Sequence, residues 1–391
     1  MALRRHRERM SRLMRHLRHF SRDQLPLSLS AVDLKLLPDG PRFFASLFRD
    51  IAAARCLLCL EFYRIRADQT GQRFAELLIE AARRGVTVYL IYDAIGCHVT
   101  PASYFERLQK AGISCLAFNP ISFRRWFDQR NHRKLVLIDG KVAYLGGLNI
   151  GDAYAGLTDE PLQFRDVGFS MEGAAVKALE ELFLDSWQME RGERPALPEC
   201  PAPSAVAGAD TQITLISGGP HQRRSVIRTA FRVAMASASQ ELLIANPYFI
   251  PGPRILRSLL RAARRGVRIR LLLPARNDVP VVRVVSLSYY EVLLRAGVEI
   301  YELERQLLHA KLMLIDGERT VIGSANLDQR SFHRNFEINV IIRSEQFTHQ
   351  LRQLFGRDIE GSRRVTLDDH TRRGAGVRLL ELMLRPFSWF L

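Results

Sequence analysis

The chain repeats itself, and the repeat constrains its fold more than any other feature. Ala81-Ala-Arg-Arg-Gly-Val86, followed by the apolar run Thr87-Val-Tyr-Leu-Ile-Tyr92, returns as Ala262-Ala-Arg-Arg-Gly-Val267 followed by Arg268-Ile-Arg-Leu-Leu-Leu273. Lys110-Ala-Gly-Ile113 returns as Arg295-Ala-Gly-Val298, and His132-Arg-Lys-Leu-Val-Leu-Ile-Asp139 as His309-Ala-Lys-Leu-Met-Leu-Ile-Asp316. The offsets of 181, 185 and 177 residues are nearly constant, so the unit is a duplicated domain of about 180 residues; solenoid repeats are far shorter. A length of 391 residues accommodates two such domains.

Each copy alternates helix and strand. An amphipathic helix over 74–84 closes at Gly85, a residue suited to a helix C-terminus, and an apolar strand over 86–92 follows. A helix over 104–109 ends at Gly112, and strands over 113–118 and 134–138 follow. Continuous apolar strands between helices indicate a sheet covered on both faces, an α/β fold. With 47% hydrophobic and 25% charged residues, the chain is core-forming. The expected division is a basic amphipathic segment 1–30, a first repeat 31–190, a Pro- and Ala-rich linker 191–212, a second repeat 213–362 and a basic, apolar tail 363–391.

Lys+Arg is 57 and Asp+Glu 41, which leaves +16 and favours an anionic partner: nucleic acid, an anionic membrane surface or a phosphate substrate. Residues 1–22 carry +7 of this and residues 363–391 carry +3. In the first stretch Leu3, Met10, Leu13, Met14, Leu17 and Phe20 recur at helical spacing among eight arginines. That is the pattern of a helix lying in a membrane interface; a solvated basic helix has the same composition. The run 377–391, with Trp389, suits an interfacial anchor or a docked terminal helix. Within 118–130, Phe123, Trp126 and Phe127 stand among Arg124, Arg125 and Arg130, which suits a loop embedded in lipid or a packed one. No stretch reaches about 18 uncharged apolar residues, so no transmembrane helix is expected. The basic N-terminus has no apolar core of the kind a secretory signal needs. The five cysteines, Cys56, Cys59, Cys97, Cys115 and Cys200, lack the spacing of a disulfide framework. They read as buried thiols in a reducing compartment.

The chemistry sits in the doubled His-x-Lys-x4-Asp motif. On a strand, residues i and i+2 share a face, so His132 and Lys134, like His309 and Lys311, point into one pocket. Downstream, Gly146-Gly-Leu-Asn149 and Gly323-Ser-Ala-Asn326 stand at matching positions; Gly147, Asn149, Ser324 and Asn326 are candidate ligand contacts. One imidazole can attack phosphorus and form a covalent intermediate, and a second can protonate the leaving alkoxide. Lysines and asparagine amides can hold the charged oxygens. Such a mechanism calls for no metal and no cofactor. Only 6 of the 57 basic residues are lysines, yet both motifs keep one.

These motifs resemble those of the phospholipase D superfamily, marked by a duplicated H-x-K-x4-D followed by G-G/S-x-x-N. Within it the chain is most similar to bacterial cardiolipin synthases, through Asn131-His-Arg-Lys-Leu-Val-Leu-Ile-Asp-Gly140, Phe164-Arg-Asp166, Ala245-Asn-Pro-Tyr-Phe-Ile-Pro251, Ser324-Ala-Asn-Leu-Asp-Gln-Arg-Ser331 and Asn335-Phe-Glu337. The likeness runs over roughly residues 33 to 362 and implies two pseudo-symmetric α/β/α sandwich domains with the active site at their interface. It implies one histidine as nucleophile and the other as acid/base; by position His132 takes the first role and His309 the second, although the near-equivalent copies do not separate them. It also implies an orienting carboxylate for each histidine, Asp166 in the first copy and Glu337 in the second, which would fix the tautomer and raise the basicity of the free nitrogen. Asp139 and Asp316 belong to the catalytic motif, with bracing of the following turn as their expected part.

The resemblance further implies a phosphatidyltransferase. It would move a phosphatidyl group from phosphatidylglycerol to a second phospholipid hydroxyl, as a peripheral protein on the cytoplasmic face of a bacterial inner membrane. Phospholipid or nucleic-acid hydrolysis by the same histidines is the alternative, and a non-catalytic membrane-binding protein a remote one. The apolar, aromatic-ended tails favour a lipid partner over nucleic acid.

Overall fold

The computed structural model describes residues 27–30, 32–120, 128–159, 162–200, 211–220, 222 and 225–384. The basic segment up to residue 26, the aromatic loop 121–127 and the run 385–391 with Trp389 lie outside the described residues.

The repeat becomes two sheets with one strand order. In chain order the strands are β1 (Leu27–Leu29), β2 (Val32–Leu37), β3 (Leu57–Phe62), β4 (Thr87–Asp93), β5 (Ser114–Phe118), β6 (Lys134–Ile138), β7 (Val142–Gly146), β8 (Phe164–Arg165) and β9 (Gly168–Gly173). The second half adds β10 (Gln212–Gly218), β11 (Glu241–Ala245), β12 (Arg268–Pro274), β13 (Glu299–Leu303), β14 (Leu307–Leu308), β15 (Leu312–Ile315), β16 (Arg319–Gly323), β17 (Glu337–Arg343) and β18 (Ser362–Val365). The first sheet runs β2-β9-β7-β6-β3-β4-β5. The second repeats that order as β10-β17-β16-β15-β11-β12-β13, with β1 and β18 added at its two edges. Three strands of each sheet, β3-β4-β5 and β11-β12-β13, are parallel, as strands joined by helical crossovers must be.

Burial follows the alternation of side chains along each strand. On β6, Leu135 and Leu137 face a core shared by the two halves, while Val136 and Ile138 face the first half's outer helices. On β15, Leu312 and Leu314 enter the same shared core, and Met313 and Ile315 face the second half's outer helices. The shared core also takes Phe183 and Trp187 from the helix Ala175–Arg191 and Phe347 and Leu351 from the helix Glu345–Glu360. Phe169 and Phe347 meet there across the halves, ring centroids 6.1 Å apart. The fold is therefore α/β, two like halves closed over one apolar middle layer, as expected.

Three expectations change. The strand β1 lies within 1–30, expected as a basic amphipathic segment ahead of the first repeat, and it pairs with β10 of the second sheet. The tail expected from 363 begins inside β18, which pairs with β13; the helix Leu367–Thr371 then buries His370 against Tyr290. The last described helix, Ala375–Leu384, is held by an Arg373–Glu381 ion pair, while Leu379, Leu380 and Met383 stay exposed. Finally, Cys56 and Cys200 form a disulfide with Cα atoms 5.8 Å apart, so the reading of five free thiols fails for this pair. The linker, read as a spacer, brings Cys200 back to the start of β3, a juxtaposition no local spacing reveals. Cys59, Cys97 and Cys115 are free and buried.

Candidate active site

The two motif histidines are each positioned by a strand-like pairing between the halves. The residue before His132, Asn131, bridges Phe336 in parallel, and the His132 N–H donates to the Phe336 carbonyl at 2.9 Å. In the other half β14 pairs in parallel with β8, Leu308 opposite Arg165, and the His309 N–H donates to the Arg165 carbonyl at 2.8 Å. In each case the next residue along both chains is a histidine facing a carboxylate. His132 Nδ1 lies 3.0 Å from both Glu337 oxygens, and His309 Nδ1 lies 2.5 Å from Asp166 Oδ2. The carboxylates are thus exchanged: each histidine is held by the acid of the other copy.

The two acids are built differently. Glu337 also accepts from Ser324 Oγ at 2.5 Å, Ser331 Oγ at 2.8 Å and Asn335 Nδ2 at 3.2 Å. Burial alone would raise its pKa, but His132, its hydrogen bond, Lys134 and Ser324 outweigh that and hold it below the usual carboxylate range. Among the described residues Asp166 has, besides His309, only the Val167 N–H at 2.8 Å, and burial pushes it up to about 6. The repeat explains the contrast. Ser324 occupies the position of Gly147, and a Cβ at 147 would lie 2.4 Å from Asp166 Oδ2. Gly147 and Ser324, expected to approach a ligand, instead serve the carboxylates: one makes room, the other donates a hydrogen bond.

Both imidazoles are buried, with relative exposures of 8% and 5%. Burial lowers His132 to about 4 against the opposing pull of Glu337, and burial together with Lys311 holds His309 well below 6.5. Both rings are therefore neutral at neutral pH. A neutral ring facing a carboxylate through Nδ1 donates from that nitrogen, which leaves Nε2 with its lone pair. Lys134 donates to the His132 carbonyl at 2.6 Å, and Lys311 lies 2.9 Å from His309 Nδ1 and also donates to the His309 carbonyl. Burial lowers both ammonium groups, Lys311 to about 8. The charges of each half act on the other: Lys311 on His132, and Lys134 on His309.

The remaining expected residues divide. Asn149 is committed within the protein, donating to Tyr154 Oη at 3.0 Å and accepting from the Arg64 N–H at 3.2 Å. Asn326 makes no side-chain hydrogen bond among the described residues, and its buried Oδ1 has no partner. Asp139 and Asp316 sit at the far ends of their strands, roughly 20 Å of extended chain from the histidines. Asp139 accepts from the N–H groups of Arg55, Cys56 and Leu57, and Asp316 from those of Ser239, Gln240 and Glu241. They brace turns and touch neither histidine.

Other residues enter only with the structure. Tyr63 stands edge-on to His132 at 5.0 Å, and Tyr154 and Phe164 to His309 at 5.3 and 5.2 Å. Tyr248 donates to Asp278 at 2.7 Å, and the Asp278 charge acts on His309, Lys311 and Arg64. Of these, Phe164 and Tyr248 stand in stretches the sequence marks, Phe164-Arg-Asp166 and Ala245-Asn-Pro-Tyr-Phe-Ile-Pro251.

Two neutral imidazoles, two lysines and a paired carboxylate for each ring make a set that can carry out displacement at a phosphodiester. The family model described as "Cardiolipin synthase, PLD-like domain" matches this chain twice, over residues 47–184 and 231–359. A cardiolipin synthase of Geobacillus kaustophilus is 37% identical over 93% of this chain and 73% of its own length. Cardiolipin synthase A of Pseudomonas putida is 33% identical over 90% of this chain and 74% of its own. Among solved structures, phosphatidylserine synthase of Haemophilus influenzae shares the fold with a TM-score of 0.69 at 14% identity, covering 97% of both chains. The chain belongs to the cardiolipin synthase family, phosphatidyltransferases built on the phospholipase D-like domain.

Proposed function

We propose that the chain makes cardiolipin from two molecules of phosphatidylglycerol through a phosphohistidine on His132. The exchanged histidine–carboxylate pairs carry this reading, because they leave one reactive Nε2 from each half. Nε2 of His132 attacks phosphorus, the bond from phosphorus to the glycerol headgroup breaks, and His309 gives the departing oxygen its proton. The approaching phosphodiester anion raises the basicity of His309, which takes a proton from water to become the acid and returns one to water once the product leaves. A hydroxyl of the second phosphatidylglycerol then loses its proton to His309, its oxygen attacks phosphorus, and the N–P bond breaks. Cardiolipin and glycerol are the products, and both imidazoles return to their starting forms.

His132 suits the covalent role because phosphorylation leaves positive charge on its ring. Glu337, held ionised by three further donors, is the better counter-charge of the two carboxylates. Lys134, Lys311 and Asn326 would hold the non-bridging oxygens. No described helix is long and apolar enough to cross a membrane. The exposed Leu379, Leu380 and Met383 support peripheral contact with a lipid surface, in this reading the cytoplasmic face of a bacterial inner membrane. Purified protein incubated with phosphatidylglycerol vesicles should release glycerol and cardiolipin in equal amounts. Phosphatidic acid formed in place of cardiolipin would make the protein a hydrolase.

A further inference from the structure

The helices Val226–Ser237 and Gly252–Arg264 pack side by side on the outer face of the second sheet. Between them lies a cleft of about 160 Å³ lined by Arg232, Arg254, Arg257, Ser258 and Arg261, with Arg228 beside it bonded to His333 at 2.5 Å. Among the described residues no carboxylate forms an ion pair with any of these five arginines. Their crowding is felt locally: burial, Arg254 and Arg232 lower Arg228 to about 10.

The duplication supplies an internal comparison. At the repeat offset of 181 residues, Arg254, Arg257 and Arg261 correspond to Arg73, Glu76 and Glu80 on the helix Gln69–Arg83. There Arg73 pairs with Glu76 at 3.3 Å. Arg228 and Arg232 correspond to Phe44 and Phe48, at the offset of 184 that relates the turns bound by Asp139 and Asp316. One copy of the helix pair sets three acids against four arginines and the other carries six arginines and no acid, so the charge is not a requirement of the fold.

The cationic copy adjoins the site. Gly252, at φ +60°, packs so closely on Gln329 that a Cβ there would lie 2.3 Å from its Nε2. Gln329 opens the short helix Gln329–His333, which carries Ser331 to Glu337 and His333 to Arg228.

We propose that this arginine cleft is a docking site for phosphate headgroups of anionic lipid in the membrane surface, distinct from the reacting phosphodiester, seating the enzyme with its site beside the bilayer. The proposal rests on the reading of the chain as a membrane-lipid enzyme. Guanidinium groups suit it because they bind phosphate in a fork and keep their charge at an interface.

The test is Arg232→Gln, Arg254→Gln, Arg257→Gln and Arg261→Gln combined in the full chain, set against a control with Arg42, Arg73, Arg83 and Arg107 changed to Gln. Each arginine near an anionic surface strengthens binding about fivefold. The cleft variant should lose more than about tenfold in sedimentation with phosphatidylglycerol-containing vesicles, while the control loses far less and neither changes turnover of dispersed short-chain phosphatidylglycerol. Equal losses in both variants, or none in the cleft variant, would overturn the proposal. Inorganic phosphate titrated calorimetrically should bind only weakly; saturation at micromolar phosphate, with vesicle binding unchanged in the variant, would assign the cleft to a soluble phosphate. Loss of duplex DNA binding with vesicle binding intact would assign it to nucleic acid. Should wild-type protein make no product from short-chain phosphatidylglycerol, the proposed reaction fails, while the vesicle comparison still judges the cleft.

Discussion

At the scale of single residues, the asymmetry between the two orienting acids is the most informative feature. Ser324→Gly, which copies the first half's residue, removes one charge-assisted hydrogen bond from Glu337 and should lower kcat about tenfold in a cardiolipin-forming assay. Gly147→Ser forces a side chain onto Asp166 and should abolish turnover in protein whose circular dichroism is unchanged. The pH dependence belongs here too. With a phosphatidyl ester of p-nitrophenol, whose departure needs no proton, release of nitrophenolate should rise as pH climbs through about 4, where His132 loses its proton, and fall through about 8, where Lys311 loses its charge. Lys311→Arg, which keeps its charge, should shift the upper limb to higher pH. Because the folded His132 takes a proton less readily than the unfolded chain, its contribution to stability weakens as pH falls from about 6.5 to about 4. The sequence marks His132, Lys134, His309 and Lys311 through their repetition. It does not show that Ser324 and Gly147 serve the acids, because that depends on which strand lies behind the loop.

At the scale of elements, much was legible locally. Apolar runs such as Leu135 to Ile138 read as strands buried on both faces, and they are. Gly85 and Gly266, both at φ above +80°, end equivalent helices. What the local pattern omits is pairing at a distance: the bridges of Asn131 to Phe336 and of β14 to β8, the reach of β1 into the second sheet, and the Cys56–Cys200 link. The motif aspartates act at this scale. Asp139→Ala strips the acceptor from three backbone N–H groups at the start of β3 and should cost about 1–3 kcal/mol in urea unfolding, with turnover per folded molecule little changed. A loss of turnover without a loss of stability would return Asp139 to the chemistry.

At the scale of the whole molecule, the halves share a core and exchange catalytic partners, so neither contains a complete site. Unfolding should accordingly be a single calorimetric transition, with calorimetric and van't Hoff enthalpies agreeing; two resolved transitions would mean that the halves fold independently. Net charge, read from composition, pointed to the chain ends, and the arginine cleft shows a second concentration inside the body that the whole-body sum conceals. The central claim is that one histidine carries the phosphatidyl group while the other handles protons. The most direct measurement is intact-protein and peptide mass spectrometry of His309→Asn and His132→Asn after mixing with the p-nitrophenyl phosphatidyl ester. His309→Asn should accumulate one phosphatidyl group per chain on the peptide containing His132, and His132→Asn should accumulate none. An adduct on His309 in the His132→Asn protein, or no adduct in either, would contradict it.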